Sequence, residues 1–258
     1  MMASFCIYGA AGRMGKLLCD YILKTGEHKL SALYDRGEIS FYPPKETLVT
    51  NDLQTFLNTG EIIVDFSAPG GTEALLERVL QTGLKKPIVI GTTGLNAHQQ
   101  NLLKLAAEIA PILYATNMSL GIALLNKLVF TAAKALREFD IEIVEMHHKH
   151  KKDAPSGTAL TLAASAAKAR ELELDSVRVS GRDGLIGERQ NDEIGVLSLR
   201  GGDIVGEHTI GFYGDGEFIR LNHTATSRTT FAAGAIKAGV WLAGQQSGLY
   251  SIQDYFRI

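Results

Sequence analysis

Cysteine is scarce in this chain of 258 residues, which contains only Cys6 and Cys19. The two cysteines form no CxxC pair, and no Cys–His spacing of a metal site is present, so the sequence favours neither a disulfide framework nor a zinc site. We expect two buried free thiols in a reducing compartment and no bound metal.

An excess of charge and a long apolar run are also missing. The chain has 26 Lys and Arg against 28 Asp and Glu, a formal net charge of -2, whereas a general binder of nucleic acid or of an anionic membrane is more basic. No apolar run approaches the roughly 18 residues of a spanning helix, and the N-terminus has no secretion-signal pattern. We therefore expect a cytoplasmic protein that binds neither nucleic acid nor membrane.

The first half of the chain alternates short apolar strands with helical patterns. Strands are predicted for SFCIYG, KLSALYD, EIIVDFS, KPIVIGTT and PILYATN. Helices are predicted for the segments that begin GAAGRMGKLL, GGTEALLERV and LNAHQQNLLK, where apolar residues recur at helical spacing. This alternation predicts an α/β fold with a Rossmann-like, doubly wound parallel sheet.

The pattern changes after residue 117. A long helix is predicted for LGIALLNKLVFTAAKALREF, followed by the strand DIEIVE, a basic loop and the helix GTALTLAASAAKARELE. Three strand-like runs then follow without helices, and the last two are joined by the hairpin signal GDG. We predict a second α+β domain with a mixed or antiparallel sheet at residues 118–228, and a first domain formed by residues 1–117 and 229–258.

The glycine-rich segment GAAGRMG lies between a predicted strand and a predicted helix. Its spacing is G-x-x-G-x-x-G rather than G-x-G-x-x-G, but a tight turn and a helix N-terminus can still hold a pyrophosphate. Asp35 follows at roughly the 20-residue distance of a ribose-binding acid. Arg36 could face a 2'-phosphate, so the pair suggests a site that accepts both NAD and NADP. The competing interpretation is an ordinary turn beside a surface Asp–Arg pair.

Two further loops follow predicted parallel strands, at Gly91–Thr93 and Ala115–Met118. Ligands of such sheets bind at the carboxyl ends of the strands. Small and hydroxyl-bearing residues there could let a nicotinamide ring approach the backbone. Ordinary turn and N-cap chemistry would explain the same composition.

The segment EMHHKHKKDAPSGTAL concentrates titratable side chains before a helix. Asp153 and Ser156 are both plausible N-caps, which places Gly157 and Thr158 at the helix start, where free N–H groups favour an anion. A nearby histidine or lysine could hold a second carboxylate, and histidine can supply a proton near neutral pH. These features suggest a dicarboxylate substrate and acid catalysis.

Three other interpretations of this segment compete. A run of this kind is often a solvated basic loop without a role. His150 could bind a metal together with His147 or His148, although no H-E-x-x-H motif is present. The lysines could contact nucleic-acid phosphate, which the balanced charge disfavours.

The spacing E-x-H-H-x-x-K-x-D-A-P-S-G-T-A closely resembles the signature of the dihydrodipicolinate reductase (4-hydroxy-tetrahydrodipicolinate reductase) family of diaminopimelate and lysine biosynthesis. Further blocks resemble that family in its order: GAAGRMG, VDFSAPGGT, VIGTTG, ATNMSLG, GDIVGEHT and SRTTFAAGA. The resemblance covers nearly the whole chain.

The resemblance implies a role for each matching residue. It implies His147 and Lys151 as catalytic proton donors, and His148, Gly157 and Thr158 as ligands of the substrate carboxylates. The implied cofactor-binding residues are Gly9, Ala10, Ala11, Gly12, Arg13, Met14, Asp35, Arg36, Gly91, Thr92, Thr93, Ala115, Thr116, Asn117 and Met118. Some family members have an arginine where this chain has Ala68, which argues against a strong NADP preference.

The resemblance implies that NADH, NADPH or both deliver hydride to C4 of a cyclic imine dicarboxylate, with loss of the 4-hydroxyl as water. It also implies a homotetramer formed through the sheet of the second domain. Two alternatives are a non-catalytic NAD(P)-binding sensor, which would not need the histidine–lysine loop, and a two-domain semialdehyde dehydrogenase. The latter needs a nucleophilic cysteine in its catalytic half, where this chain has none.

Overall fold

A computed structural model describes residues 2–256 and divides the chain into two compact units. Unit 1 comprises Met1–Leu120 and Thr229–Ile258, and unit 2 comprises Gly121–Arg228. The division follows Leu120, whereas the sequence places it after residue 117. Met118 belongs to unit 1 because its carbonyl oxygen lies against Gly234, where an added Cβ would be 1.8 Å away.

Unit 1 contains a seven-stranded sheet in which every strand pairs in parallel. Its strands are β1 (Ser4–Tyr8), β2 (Lys29–Tyr34), β3 (Leu48–Thr50), β4 (Ile62–Asp65), β5 (Ile88–Ile90), β6 (Pro111–Tyr114) and β12 (Gly248–Tyr250). The spatial order is β12-β6-β5-β4-β1-β2-β3. The chain reverses direction of winding at β1, and the carboxyl ends of β1 and β4 therefore lie at a topological switch point.

Helices cover both faces of this sheet. They are α1 (Arg13–Thr25), α2 (Leu53–Leu57), α3 (Pro69–Thr82), α4 (Ala97–Ala107) and α8 (Thr229–Leu242), and a short 3-10 turn spans Ile252–Tyr255. One core joins Cys6, Tyr8 and Ile63 to residues of α2, α3 and α4. On the other face, α8 packs so closely that a Cβ on Gly239 would be 3.0 Å from Phe5 and from Ile62.

Unit 2 contains a mixed five-stranded sheet of order β11-β10-β7-β9-β8. Its strands are β7 (Asp140–His147), β8 (Arg178–Val179), β9 (Ile194–Arg200), β10 (Gly206–Gly214) and β11 (Glu217–Ala225). Strand β7 pairs in parallel with β9 and antiparallel with β10. Its side chains alternate between partly exposed and buried along its whole length, because successive residues of a strand face opposite sides of the sheet.

Three helices complete unit 2: α5 (Leu120–Ala135), α6 (Gly157–Ala169) and α7 (Leu174–Val177). Helix α6 buries its alanine-rich face, with Ala159, Ala163 and Ala166 fully inaccessible, against the apolar side of the sheet. Small side chains let the helix approach the strands closely.

The structure confirms the predicted fold class, a Rossmann-like parallel sheet with a second unit built on a mixed sheet. The elements that the sequence did not predict are all short: β3, α2, α7, β8, β12 and the 3-10 turn. Within residues 2–256, no helix is long and apolar enough to cross a bilayer.

Candidate active site

The glycine-rich loop joins β1 to α1 in a turn that side chains would block. Gly9 has φ +86°, and a Cβ there would lie 2.9 Å from the backbone of Ser67. A Cβ on Gly15 would lie 2.3 Å from the carbonyl oxygen of Gly9, so α1 packs directly on the turn. Gly12 is the N-cap of α1 and supplies no side-chain acceptor. The amides at the start of this helix are therefore available to an anion such as a pyrophosphate.

A cavity of about 340 Å³ opens beside this loop. Asp35 and Arg36, the residues predicted for the ribose end of a nucleotide, both line it. The carboxylate of Asp35 accepts hydrogen bonds from the amides of Ala11 and Gly37, each at 2.8 Å. Asp35 therefore also fixes the glycine-rich loop, a second contribution that the sequence did not predict.

A second cavity of about 510 Å³ lies at the carboxyl ends of the neighbouring strands. The predicted cofactor residues divide between the two cavities. The first is lined by Gly9, Ala11, Gly12, Asp35 and Arg36. The second is lined by Arg13, Met14, Gly91, Thr92, Thr93, Thr116, Asn117 and Met118. Ala10 and Ala115 line neither cavity. Their amides instead donate to the carbonyl oxygens of Tyr34 and Ile90.

Phe66 and Ser67 line both cavities but were not among the predicted site residues. They follow β4, so the rule that predicted sites after β5 and β6 would have identified them. A Cβ on Gly91 would lie only 2.4 Å from ring atoms of Phe66. The close approach of this ring explains why position 91 is a glycine. Tyr8 and Tyr34 also line the first cavity and stack with ring centroids 4.6 Å apart.

Asp65, the last residue of β4, is a fully buried carboxylate beneath these loops. It accepts hydrogen bonds from the amide of Ser67 at 2.8 Å and from the hydroxyl of Thr72 at 2.6 Å. The Thr92 hydroxyl lies 3.4 Å away. Burial raises the pKa of Asp65, although these hydrogen bonds act in the opposite direction. Asp65 thus connects the loops after β4 and β5, which line the second cavity.

In unit 2, the predicted proton donor His147 ends β7 and is 9% exposed. Its Nδ1 lies 2.5 Å from Oε2 of Glu145, which is fully buried. Arg200 binds the same carboxylate in bidentate geometry, with distances of 2.9 and 2.8 Å. Burial alone would raise the pKa of Glu145, but the hydrogen bonds from Arg200 and His147 outweigh it and hold the pKa at about 2.

Helix α6 begins at Gly157, and Ser156 is its N-cap, with the hydroxyl accepting from the amide of Ala159 at 3.2 Å. This resolves the choice between the two possible caps. The amide of Ser156 donates to Oε1 of Glu145 at 3.0 Å. One carboxylate therefore holds both His147 and the predicted anion-binding helix start at Gly157 and Thr158.

Asp153, the other possible cap, pairs with Lys151 instead, and Nζ lies 2.9 Å from each carboxylate oxygen. His148 lies just beyond β7, with its amide bonded to the carbonyl oxygen of Ile204. Nδ1 of His148 is buried and has no hydrogen-bond partner in the described part of the chain. The hydrogen-bonding capacity of this nitrogen is therefore unused within that part of the chain.

His208 on β10 completes this cluster. Its ring lies edge-on to His147 with centroids 5.2 Å apart, and its Nε2 is 3.3 Å from the hydroxyl of Ser156. Burial and the neighbouring His147 lower the pKa of His208 to about 4. Burial likewise lowers the pKa of His147, although Glu145 opposes this shift.

The unit 2 cluster can bind an anion and transfer a proton. The start of helix α6 presents the positive end of the helix dipole, Lys151 offers a cation, and His147 has one ring nitrogen, Nε2, on the side away from Glu145. Sequence reasoning gave Glu145 no role beyond ending the strand and did not identify Arg200 or His208. One available signal was the position of Glu145 on the apolar side of an alternating strand, where a charge needs a partner.

Comparison with known proteins gives consistent results for both units. Residues 3–118 match the family model described as dihydrodipicolinate reductase, N-terminus. Residues 121–256 match the model described as dihydrodipicolinate reductase, C-terminus.

Curated relatives match over the whole chain. The 4-hydroxy-tetrahydrodipicolinate reductase of Sulfurimonas denitrificans is 62% identical over 257 residues, covering 100% of both chains. That of Aliarcobacter butzleri is 59% identical and covers 98% of both. Among solved structures, a dipicolinate-bound dihydrodipicolinate reductase from Paenisporosarcina sp. TG-14 has a TM-score of 0.80 at 25% identity, covering 99% of this chain and 100% of that one.

Proposed function

The chain belongs to the dihydrodipicolinate reductase family, and we infer that it reduces 4-hydroxy-tetrahydrodipicolinate to tetrahydrodipicolinate, with loss of water, in diaminopimelate and lysine biosynthesis. It is an oxidoreductase that uses a nicotinamide cofactor. The observation within the structure that carries this function is the pair of contacts on Glu145, which bring a histidine and an anion-binding helix start onto one carboxylate.

The cofactor fits the residues of unit 1. The turn at Gly9 leaves no room for a side chain, and the start of α1 presents amides without a side-chain cap. Both features suit a pyrophosphate. The two cavities beside them share Phe66 and Ser67 as lining residues, and we assign the first to the adenosine end and the second to the nicotinamide end of the nucleotide.

We propose that both NADH and NADPH are accepted. Asp35 can hold the adenosine ribose hydroxyls and Arg36 a 2'-phosphate, since both side chains line the first cavity. Ala68 lines the same cavity and provides no cation there. In a steady-state comparison, we expect kcat/KM values for the two nucleotides to agree within roughly tenfold, the factor that about 1.4 kcal/mol produces. A ratio above 100 in either direction would contradict the proposal.

We propose that unit 2 binds the substrate. Gly157 and Thr158 at the start of α6 would hold one carboxylate and His148 the other. The buried, unpartnered Nδ1 of His148 supports this role. The relative from Paenisporosarcina sp. TG-14 was solved with dipicolinate bound; dipicolinate is a planar cyclic dicarboxylate, the same class of molecule as the proposed substrate.

The protein residues would position the substrate and supply a proton. When bound, the reduced nicotinamide supplies the hydride, which is delivered to C4 of the substrate. The reduction also consumes one proton, and the 4-hydroxyl leaves as water. We propose that His147 and Lys151 donate and hold this proton, while the start of α6 and the cationic side chains stabilise the substrate carboxylates.

Two alternative functions are disfavoured. A semialdehyde dehydrogenase needs a reactive thiolate, but Cys6 and Cys19 are both buried, and burial raises the pKa of each thiol to about 12. A non-catalytic NAD(P) sensor would not need the cluster of Glu145, His147 and Lys151.

Turnover tests the function directly. Protein, reduced nucleotide and the product of the preceding synthase are mixed, and absorbance of the reduced nicotinamide is followed. We expect oxidation that depends on all three components. Nucleotide binding without oxidation would favour the sensor.

We also propose that the chain forms a homotetramer through the sheet of unit 2. Strand β11 lies at the edge of that sheet, and its Phe218 and Ile219 are 57% and 46% exposed, so a partner subunit could cover apolar side chains there. Sedimentation equilibrium would show a tetramer, and a monomer would contradict this. The two free cysteines are in keeping with a cytoplasmic location.

A further inference from the structure

Glu145 is a fully buried carboxylate with hydrogen-bond partners on both oxygens. It lies on the side of β7 that also carries Ile141 and Ile143, all three fully buried. Each of its oxygens has two partners: Oε2 faces His147 and Arg200, and Oε1 faces Ser156 and Arg200. A buried carboxylate is retained in ionised form only when its charge is compensated in this way.

The ionised carboxylate determines the protonation of the His147 ring. A carboxylate only accepts hydrogen bonds, so the contact of 2.5 Å requires the proton on Nδ1 of His147. In neutral His147, Nε2 is then the unprotonated nitrogen. This nitrogen faces the backbone of Gly206, where an added Cβ would lie only 3.0 Å from Nε2. Glycine at position 206 therefore keeps a side chain away from this nitrogen.

The same carboxylate also fixes the chain before α6. Its Oε1 accepts from the amide of Ser156, and its partner Arg200 donates to the carbonyl oxygen of Asp153 at 2.6 Å. The segment between the basic loop and the helix start is therefore held at two points by one ion pair. A change in Glu145 would act on His147 and on the helix start together.

We propose that Glu145, with Arg200 as its counterion, is the positioning residue of this site. It keeps the proton of neutral His147 on Nδ1, leaves Nε2 for proton transfer, and holds the start of α6 in place relative to that nitrogen. The role in catalysis rests on the proposed function, which identifies the reaction. The tautomer of His147 does not, because it is a property of the protein without substrate.

The proton balance follows from this arrangement. Neutral His147 has no proton on Nε2, so it must take one up before it can act as an acid. The resulting imidazolium keeps Nδ1–H on Glu145 and gives the Nε2 proton to the substrate as the hydroxyl leaves as water. His147 returns to the neutral Nδ1–H form. The charged and titratable groups around the ring are Glu145 on β7, Arg200 on β9, His208 on β10 and Lys151 in the loop.

The first experiment measures the tautomer in the wild-type protein. Nitrogen-15 NMR of histidine-labelled protein, with His147→Gln to assign the signal, distinguishes Nδ1–H from Nε2–H. We expect neutral His147 in the Nδ1–H form above pH 7. The Nε2–H form would overturn the proposal, and this result needs neither substrate nor a folded Glu145 variant.

The second experiment compares Glu145→Gln with a matched control on the same strand. Glu142 also forms a bidentate pair with an arginine, Arg182, at 3.1 and 2.9 Å, but lies on the opposite side of β7. In Glu145→Gln we expect kcat to fall at least tenfold, as when part of a general acid's roughly 100- to 10,000-fold contribution is lost. The basic limb of the kcat–pH profile, where the imidazolium loses its proton, should move to lower pH, because the imidazolium loses its counterion. In Glu142→Gln the profile should keep its shape and position.

The outcomes separate this inference from the proposed function. If His147→Gln is impaired but Glu145→Gln keeps the wild-type profile, the positioning role is wrong and the function stands. If the wild type shows no turnover, the proposed function fails while the tautomer result still decides the role of Glu145. The dissociation constant of NADH should stay within twofold in both glutamate variants, since unit 1 is unchanged.

Discussion

Among residues 2–256, each unit has one fully buried carboxylate beside its candidate site, and the two differ in the charge of their partners. In the part of the chain that the structure describes, the hydrogen-bond donors of Asp65 in unit 1 are an amide and hydroxyls. Glu145 in unit 2 has a guanidinium and an imidazole. The pKa of Asp65 is raised by burial, whereas that of Glu145 is held at about 2 against burial. Burial alone therefore does not determine how a carboxylate behaves. With neutral donors the pKa of the buried carboxyl group stays raised, and with cationic donors it is lowered.

The largest expected effect is on stability. Glu145→Gln leaves the partly buried Arg200 without its counterion. Breaking a buried pair typically costs about 3–5 kcal/mol, and we expect a loss near the lower end of that range. Asp65→Asn keeps a neutral acceptor for neutral donors and should cost roughly 1 kcal/mol. The free energies of unfolding, measured in urea at pH 7, test this difference. Equal losses in the two variants would mean that the charge of the partners is unimportant.

The next effect is on turnover. His147→Gln and Lys151→Ala should each lower kcat at least tenfold, because a general acid contributes roughly 100- to 10,000-fold. The dissociation constant of NADH, measured by fluorescence, should change less than twofold because neither residue belongs to unit 1. Near-normal turnover in both variants would contradict the assignment of proton transfer to unit 2.

Acid should destabilise the unit 2 cluster through His208. Its pKa is lowered to about 4 in the folded state, so the unfolded chain binds more protons between about pH 6.5 and 4, and stability falls as pH falls through this window. His208→Asn should remove about 1–3 kcal/mol of this pH-dependent loss. The measurement is the slope of the free energy of unfolding against pH in wild type and variant. A difference in stability that is the same at every pH does not change this slope. Parallel curves for wild type and variant would be the contrary result.

Asp65 should show the smallest effect and the opposite sign. Its pKa is raised in the folded state, so the folded protein binds the proton more readily and the contribution of Asp65 to stability increases as pH falls from neutral towards about 3.9. Relative to Asp65→Asn, the wild type should therefore gain stability on acidification. The variant should also bind NADH about three- to tenfold more weakly, since Asn has one acceptor oxygen instead of two and anchors the loops after β4 and β5 less firmly. Unchanged binding would limit Asp65 to a structural role.

The sequence predicted the longer elements because their periodicity extends over several residues. The three residues of β3 and of β12 cannot show a repeat of two, and both strands pair with distant parts of the chain. Phe66 and Ser67 could have been predicted, because they follow β4 as Gly91 follows β5.

The partners of Glu145 could not have been predicted from one sequence. Arg200 lies opposite His147 in the β7–β9 register, and His208 lies opposite Glu145 in the β7–β10 register. A shift of either register by one residue would turn these side chains to the other face of the sheet. Local sequence contains no information on that register, whereas the histidines and the helix start are close together in the sequence and were predicted together.

Unit 1 is formed by two separate stretches of the chain, and this affects the order in which it can fold during synthesis. Unit 2 is one continuous stretch, but unit 1 takes α8 and β12 from the C-terminal part of the chain. A ribosome releases its product from the N-terminus, so the residues of unit 2 emerge complete while β6 still has an open edge and Phe5 and Ile62 await α8. A segment made after unit 2 therefore closes the first sheet to be started, and nascent chains stalled before residue 229 should expose the face of that sheet to chaperones.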